Sequence, residues 1–217
     1  MLSPTLSSMK LKEALEIIGG LSKPSKMPGH GWSISAKRCK TGSKLRKVKG
    51  SVCEKCYALK GRYPFPNVQN AMERRFAALS HPQWVEAMTV AIGLSESSGC
   101  FRWVDSGDIQ SVEMLEKIVQ IANNLPQIRF WLPTREYGIV SEYVKKNGAF
   151  PDNLTVRLSS YMIDGQPPTK LAERLGCVTS GVTKSGFTCP ASNQGNKCLS
   201  CRACWDRSVG NVSYKIH

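Results

Sequence analysis

Residues 100–136 read CFRWVDSGDIQSVEMLEKIVQIANNLPQIRFWLPTRE. The apolar run at 100–104 has strand character and ends in a polar turn, DSGD (105–108). SVEMLEKIVQIANN (111–124) places its apolar residues at helical spacing, with Ser111 as the expected N-cap. IRFWLPTRE (128–136) is a second apolar run that also finishes in polar residues. Strand, helix and strand in this order make a βαβ unit with parallel strands.

The alternation continues on both sides. Upstream, SMKLKEALEII (8–18) predicts a helix stopped by Gly19-Gly20, and residues 21–31 read as a loop. GWSISA (31–36) predicts a short strand, followed by helices in VQNAMERRFAALS (68–80) and QWVEAMTVAIGL (83–94). Downstream come a helix at 137–148, a strand in NLTVRLSS (153–160), a short helix at 169–176 and a last strand in CVTSGV (177–182). The fold class is α/β. With 217 residues the chain is short for a closed eight-stranded barrel. A small or incomplete (βα) barrel is expected, with a doubly wound sheet as the alternative. One domain over 1–217 is predicted, with a cysteine-rich C-terminal segment, 186–217, packed on the barrel.

Parallel α/β folds build sites at the carboxyl ends of their strands. Here those ends carry Asp105, Ser106 and Asp108; Thr134, Arg135 and Glu136; and Arg157, Ser159 and Ser160. Arg135 and Arg157 suit a carboxylate or phosphate, and Asp108 or Glu136 suits a general base. Each residue taken singly could equally cap a helix; their joint placement at three strand ends favours a site. Ser106 completes the candidate catalytic set.

Nine cysteines are unevenly distributed. Cys39, Cys53 and Cys56 follow the first predicted strand with spacing C-x13-C-x2-C. Cys189, Cys198, Cys201 and Cys204 have spacing C-x8-C-x2-C-x2-C. A C-x2-C pair lets two thiolates reach one metal across a tight turn, and successive x2 spacings also wrap iron–sulfur clusters. The tail quartet could fill a closed site, zinc included, whereas the trio leaves a vacancy that suits an open-site 4Fe–4S cluster. Cys198, Cys201 and Cys204 could also share one centre with the trio. Cys100 and Cys177 open apolar runs and read as small buried hydrophobes. His30, His81 and His217 stand alone, with His81 structural at a helix start; VSYKIH (212–217) reads as a strand-like end whose His217 is a bland terminus, or a site residue if that strand returns to the core.

Hydrophobic residues at 41% and charged residues at 21% are ordinary for a globular protein. No run of eighteen apolar residues occurs, which excludes a membrane-spanning helix by sequence, and there is no secretory pattern at the start. A cytoplasmic location is expected, where clustered cysteines bind metal rather than pair. The formal charge is +14, and seven cations crowd into KRCKTGSKLRKVK (37–49). Such a segment is either a solvated loop or a contact for phosphates, nucleic acid or an anionic substrate.

The trio after the first strand and the Ser106-Gly107-Asp108 turn after the next resemble the radical S-adenosylmethionine enzymes. That resemblance implies a 4Fe–4S cluster on the trio and a methionyl amine held by the turn. The spacing differs from the C-x3-C-x2-C of those enzymes by ten residues. A resemblance covering nearly the whole chain is to the bacteriophage family gene product 88. It rests on GWSISAKRC, VCEKCYALKGRY, VDSGDIQS, FWLPTRE, LTVRLSS and CLSCRACW. It implies a phage-encoded iron–sulfur protein in the cytoplasm of the infected bacterial host, and implies no reaction.

Two classes of function follow. One is a cluster enzyme acting on a small anionic or carbonyl-bearing substrate, with Lewis-acid ester hydrolysis favoured over reductive cleavage of S-adenosylmethionine. No G-x-S-x-G elbow supports a serine hydrolase. The other is a basic nucleic-acid-binding protein with structural zinc or iron–sulfur centres, although no RNA-recognition, helix-turn-helix or zinc-finger signature is present. A phage accessory protein that binds a host partner is a third option.

Overall fold

The computed structural model describes residues 8–216. Seven strands form one sheet in the order β1-β2-β3-β4-β5-β7-β6: β1 (Gly31–Trp32), β2 (Cys100–Trp103), β3 (Arg129–Thr134), β4 (Leu154–Ser159), β5 (Val178–Gly181), β6 (Phe187–Thr188) and β7 (Asn211–Ser213). Every strand pairing is parallel. From β1 to β5 the order advances to one side without the central reversal that marks a doubly wound sheet, and β7 then inserts between β5 and β6. β1 and β6 are the outer strands, so the sheet is open and the closure of a complete barrel is not seen.

Seven helices accompany the strands: α1 (Leu11–Ile17), α2 (Thr41–Leu45), α3 (Pro66–Ala78), α4 (Trp84–Ser95), α5 (Val112–Asn124), α6 (Tyr137–Asn147) and α7 (Thr169–Arg174). α5 starts where the sequence predicts: Ser111 Oγ accepts the Met114 N–H at 3.2 Å. Alternate strand residues divide between two buried clusters. Phe101, Trp103, Phe130, Leu132, Leu154, Val156 and Leu158 pack with α1, α4, α5 and α6 residues. Cys100 and Trp131 face the other way, onto Cys204, Trp205 and Val212. Helices therefore cover one face, and the C-terminal segment covers the other.

That segment is more than an appendage. It contributes β6 and β7, two short strands beyond the predicted last strand. β1 keeps only two of its six predicted residues, because the chain then leaves for the cysteine-bearing loop. Trp32 is fully buried, edge-on to Trp84 at 5.4 Å, and donates through Nε1 to Ile18 O, which ties α1 to the sheet. Among the described residues no helix is long and apolar enough to cross a membrane.

Candidate metal centres

The chain from Ala36 to Phe65 forms a strap across the carboxyl ends of β2, β3 and β4. Thr41, at the start of α2, donates its N–H (2.8 Å) and hydroxyl (2.7 Å) to the two carboxylate oxygens of Glu136, just past β3. Beyond β4, Val52 N–H donates to Tyr161 O at 2.9 Å and Ser51 bridges Met162. Beyond β2, Tyr63 Oη donates to Asp105 Oδ2 at 2.9 Å, and Tyr57 Oη donates to the Asp105 carbonyl.

These tethers bring Cys39, Cys53 and Cys56 together. Ser43 Oγ donates to Cys39 O at 2.5 Å, and Cys56 N–H donates to Cys53 O, which closes the C-x2-C turn. The thiols of Cys39 and Cys53 both lie close to Gly42. A Cβ there would meet Cys39 Cβ at 3.1 Å, Cys39 Sγ at 3.5 Å and Cys53 Sγ at 3.6 Å. Burial, with Asp108, Cys56, Cys53 and Glu136 nearby, pushes the Cys39 thiol up to about 12. Burial also raises Cys53, against the pull of Arg135 and Arg46. Both are protonated at neutral pH, so a metal must displace protons to bind them.

Beneath the strap the strand ends are joined by one hydrogen-bonded network. Asp108 Oδ1 accepts from Thr134 Oγ1 at 2.6 Å and from Ile109 N–H at 2.8 Å, and Oδ2 accepts from Arg135 N–H at 2.9 Å. Burial raises Asp108 to about 6 against these bonds. Thr134 Oγ1 in turn accepts the Glu136 N–H at 3.1 Å. Just before this turn, Val104 has φ 45°, a costly conformation for a β-branched residue, and Gly107 has φ 75°. A Cβ at Gly107 would stand 2.8 Å from Ile34 O, so only glycine lets the turn approach β1's extension this closely. Ser106 is buried, with its hydroxyl 4.0 Å from Met72 Sδ. Arg135 differs from these neighbours. Its Nε donates to Ser160 O at 3.2 Å, and its two Nη groups find no acceptor among the described residues.

Arg157 has a role other than the expected grip on a substrate anion. It is fully buried and donates to five carbonyls. Nε reaches Cys204 O; Nη1 reaches Thr179 O and Val209 O; Nη2 reaches Ala203 O and Asp206 O, all at 2.7–3.0 Å. Five donors are all that a guanidinium has. The side chain is an internal strut that shapes the tail between residues 203 and 209.

The strut supports the second cysteine group. Cys201 N–H donates to Cys198 O at 2.9 Å, Cys198 N–H to Lys26 O, and Cys189 N–H to Ser213 O. Cys204 Sγ lies 3.2 Å from Tyr214 Oη, and burial raises its thiol to about 11. Trp205 Nε1 donates to Phe101 O at 2.8 Å and stacks edge-on against Trp131 at 5.2 Å. Arg102 stands between the two groups, over the Trp131 ring at 4.3 Å, and its charge acts on Asp105 and on Cys204. Among the described residues the buried Nε of Arg102, Nε of Arg46 and Nε1 of Trp131 have no acceptor.

Among the described residues no three His, Cys, Asp or Glu side chains converge closely enough to hold one metal ion. Thiolates sharing a single zinc at about 2.3 Å stand about 3.8 Å apart, whereas cluster ligands each take a different iron and stand farther apart. Cys100 is buried beside the tail group, with Arg129 Nη2 3.6 Å from its sulfur, and Cys177 is half-buried. His30 pairs with Glu96 at 3.1 Å and His81 Nδ1 accepts the Gln83 N–H. His217 lies outside the described residues. A cleft of about 760 Å³ lined by Leu11, Leu15, Gly19, Gly20 and Arg74 is open and involves none of these groups.

Sequence reasoning missed Thr41, Gly42, Tyr63 and Arg102. Arg102 was the one with a signal: it alternates with Phe101 and Trp103 and so must face away from the helices.

Fold and site together define a singly wound parallel α/β protein with two all-cysteine groups at and below its carboxyl rim. The family described as Gene product 88 matches residues 7–207, and the chain belongs to that family. No curated protein and no solved structure matches the chain.

Proposed function

We propose that the chain is an iron–sulfur protein and that the trio of Cys39, Cys53 and Cys56 holds the working 4Fe–4S cluster of an ester-hydrolysing enzyme. The observation that carries this reading is the cradle at Gly42. Two thiols lie within contact of the bare Gly42 position, where an added Cβ would crowd Cys39, beside the buried carboxylate of Asp108 and the half-exposed Arg135. The donor set is all sulfur, and three thiols leave a fourth position open, which suits a cluster. Unpaired N–H groups of Arg46, Arg102 and Trp131 are suited to donate to sulfur.

When bound, a cluster with one iron free of cysteine supplies a Lewis acid that polarises a carbonyl. Arg135 directs its free Nη groups to the anionic end of the substrate. Asp108 keeps a lone pair on Oδ2 and, with its pKa near 6, exchanges a proton close to neutral pH. Glu136 holds Thr41 and thereby the strap. The tail quartet is the second, structural centre, with buried Arg157 and half-buried Arg102 offsetting thiolate charge. The radical S-adenosylmethionine reading is weaker, because the C-x13-C-x2-C spacing of the trio departs by ten residues from that of those enzymes.

Anaerobic purification with iron, sulfide and zinc quantified on one sample tests the reading. Iron and sulfide in equal amounts are expected, falling by about one cubane, roughly four irons, in Cys39→Ser. Arg135→Ala should lose ester turnover with iron retained. Stoichiometric zinc without sulfide would overturn it.

A further inference from the structure

We propose that the outer face of the 36–65 strap is a docking surface for single-stranded nucleic acid. Between Lys37 and Phe65 there are ten lysines and arginines and one acid, Glu54, so this stretch carries a net +9 of the chain's +14. Lys44, Lys47, Lys49, Lys55, Lys60 and Arg62 are all exposed. Among the described residues Arg38 is the strap's one ion-paired cation, 2.7 Å from Glu73, and the Glu54 carboxylate is occupied by the Gly50 N–H.

A merely solvating basic loop needs neither fixed shape nor exposed rings. This one has both. It is tied to three strand ends through Glu136, Tyr161 and Asp105, so its charges are held in place before a partner arrives. Phe65 is 54% exposed and Tyr57 40%, on the same segment. Cations that follow a phosphate chain, with aromatic faces on which bases stack, are the elements of single-strand recognition. A duplex reader would need a helix or ribbon to enter a groove, and α2 has five residues. The same shortness argues against a membrane surface, where an amphipathic helix would be needed. The inference does not depend on what the cysteines hold.

Fluorescence anisotropy with a labelled oligothymidylate of about 15 nucleotides tests it. If four phosphates are neutralised, log K should fall with log salt at a slope of about −3. The Lys44→Ala/Lys47→Ala/Lys49→Ala variant should flatten that slope by about 2. Phe65→Ala should weaken binding on the order of fivefold or more at unchanged slope, and Phe65→Trp should restore it. Iron and sulfide content, measured on each variant, should stay at the unsubstituted level, which separates this result from the fate of the cluster. No binding at low salt would overturn the proposal. So would equal affinity for heparin with no effect of Phe65→Ala, or preference for anionic phosphatidylserine vesicles.

Discussion

Arg157 offers the sharpest test of how the tail is held. Replacing it with methionine keeps much of the volume and removes five charged N–H donors from five carbonyls. Hydrogen bonds to a charged group are worth about 1.5–3 kcal/mol each, so the gross loss is on the order of 8–15 kcal/mol. Against this stands the penalty for burying the guanidinium, which is several kcal/mol and disappears with the charge. Some freed carbonyls will also meet water. A net loss of about 3–5 kcal/mol is expected, a large part of the 5–15 kcal/mol that holds a typical domain. For a chain of this size, 2–4 °C per kcal/mol gives a fall in Tm of about 6–20 °C. Thermal unfolding by circular dichroism reads the total, and amide exchange over residues 203–209 localises it. Arg157→Lys should recover little, since an ammonium has three donors and cannot span both sides of the loop. If Arg157→Met unfolds within 1 kcal/mol of the unsubstituted protein while substrate affinity collapses, the strut is wrong and an anion-binding role is right.

Three further outcomes follow from the rim. Asp108 has its folded pKa raised from 3.8 to about 6, so its ionisation opposes folding above pH 6 and that opposition vanishes below about pH 4. Relative to Asp108→Asn, the unsubstituted protein should lose up to about 3 kcal/mol as pH rises from 4 to 7; a pH-independent difference in urea unfolding would contradict the shift. Glu136→Ala removes both bonds to Thr41 and should speed amide exchange at Thr41 and proteolysis between residues 41 and 50. Global stability should fall by about 1–3 kcal/mol, and an unchanged exchange rate would show that the strap is held elsewhere. Gly42→Ala should leave secondary structure intact yet lower the iron bound by the trio, because the added methyl crowds Cys39 Cβ at 3.1 Å and occupies the space in contact with both sulfurs. Full iron loading would show that the cradle has room to spare.

The sheet's middle was legible because its elements repeat at one period each and announce their ends. Ser111 caps α5 as its position predicts, and Leu154–Ser159 is a continuous buried run. β6 was not legible, since two residues carry no alternation; VSYKIH (212–217) reads as a strand-like end and its first residues do lie in β7, but their place in the sheet depends on the edge that β5 offers. The cysteine groups could be seen from spacing alone. What surrounds them could not, because the contacts span the chain. Thr41 and Glu136 lie 95 residues apart, and the five carbonyls around Arg157 come from residues 179 to 209. A strand-end arginine in a sequence looks the same whether it faces a substrate or a loop. The outcome is decided by which loop returns to cover it.

The position of β7 has a consequence for synthesis. It enters the sheet between β5 and β6, and β6 has no other neighbour. On a ribosome, β6 and Cys189 therefore emerge well before the strand that fixes them, and Cys189 N–H gains its acceptor only when Ser213 arrives. The strap's backbone tethers reach Tyr161, Met162 and Ile163, all made before the tail, so it can close over the rim first. The backbone at Cys189 stays without this acceptor until residues 211–213 dock. Closure of the strap and docking of the tail are thus ordered in time by the strand order of the sheet.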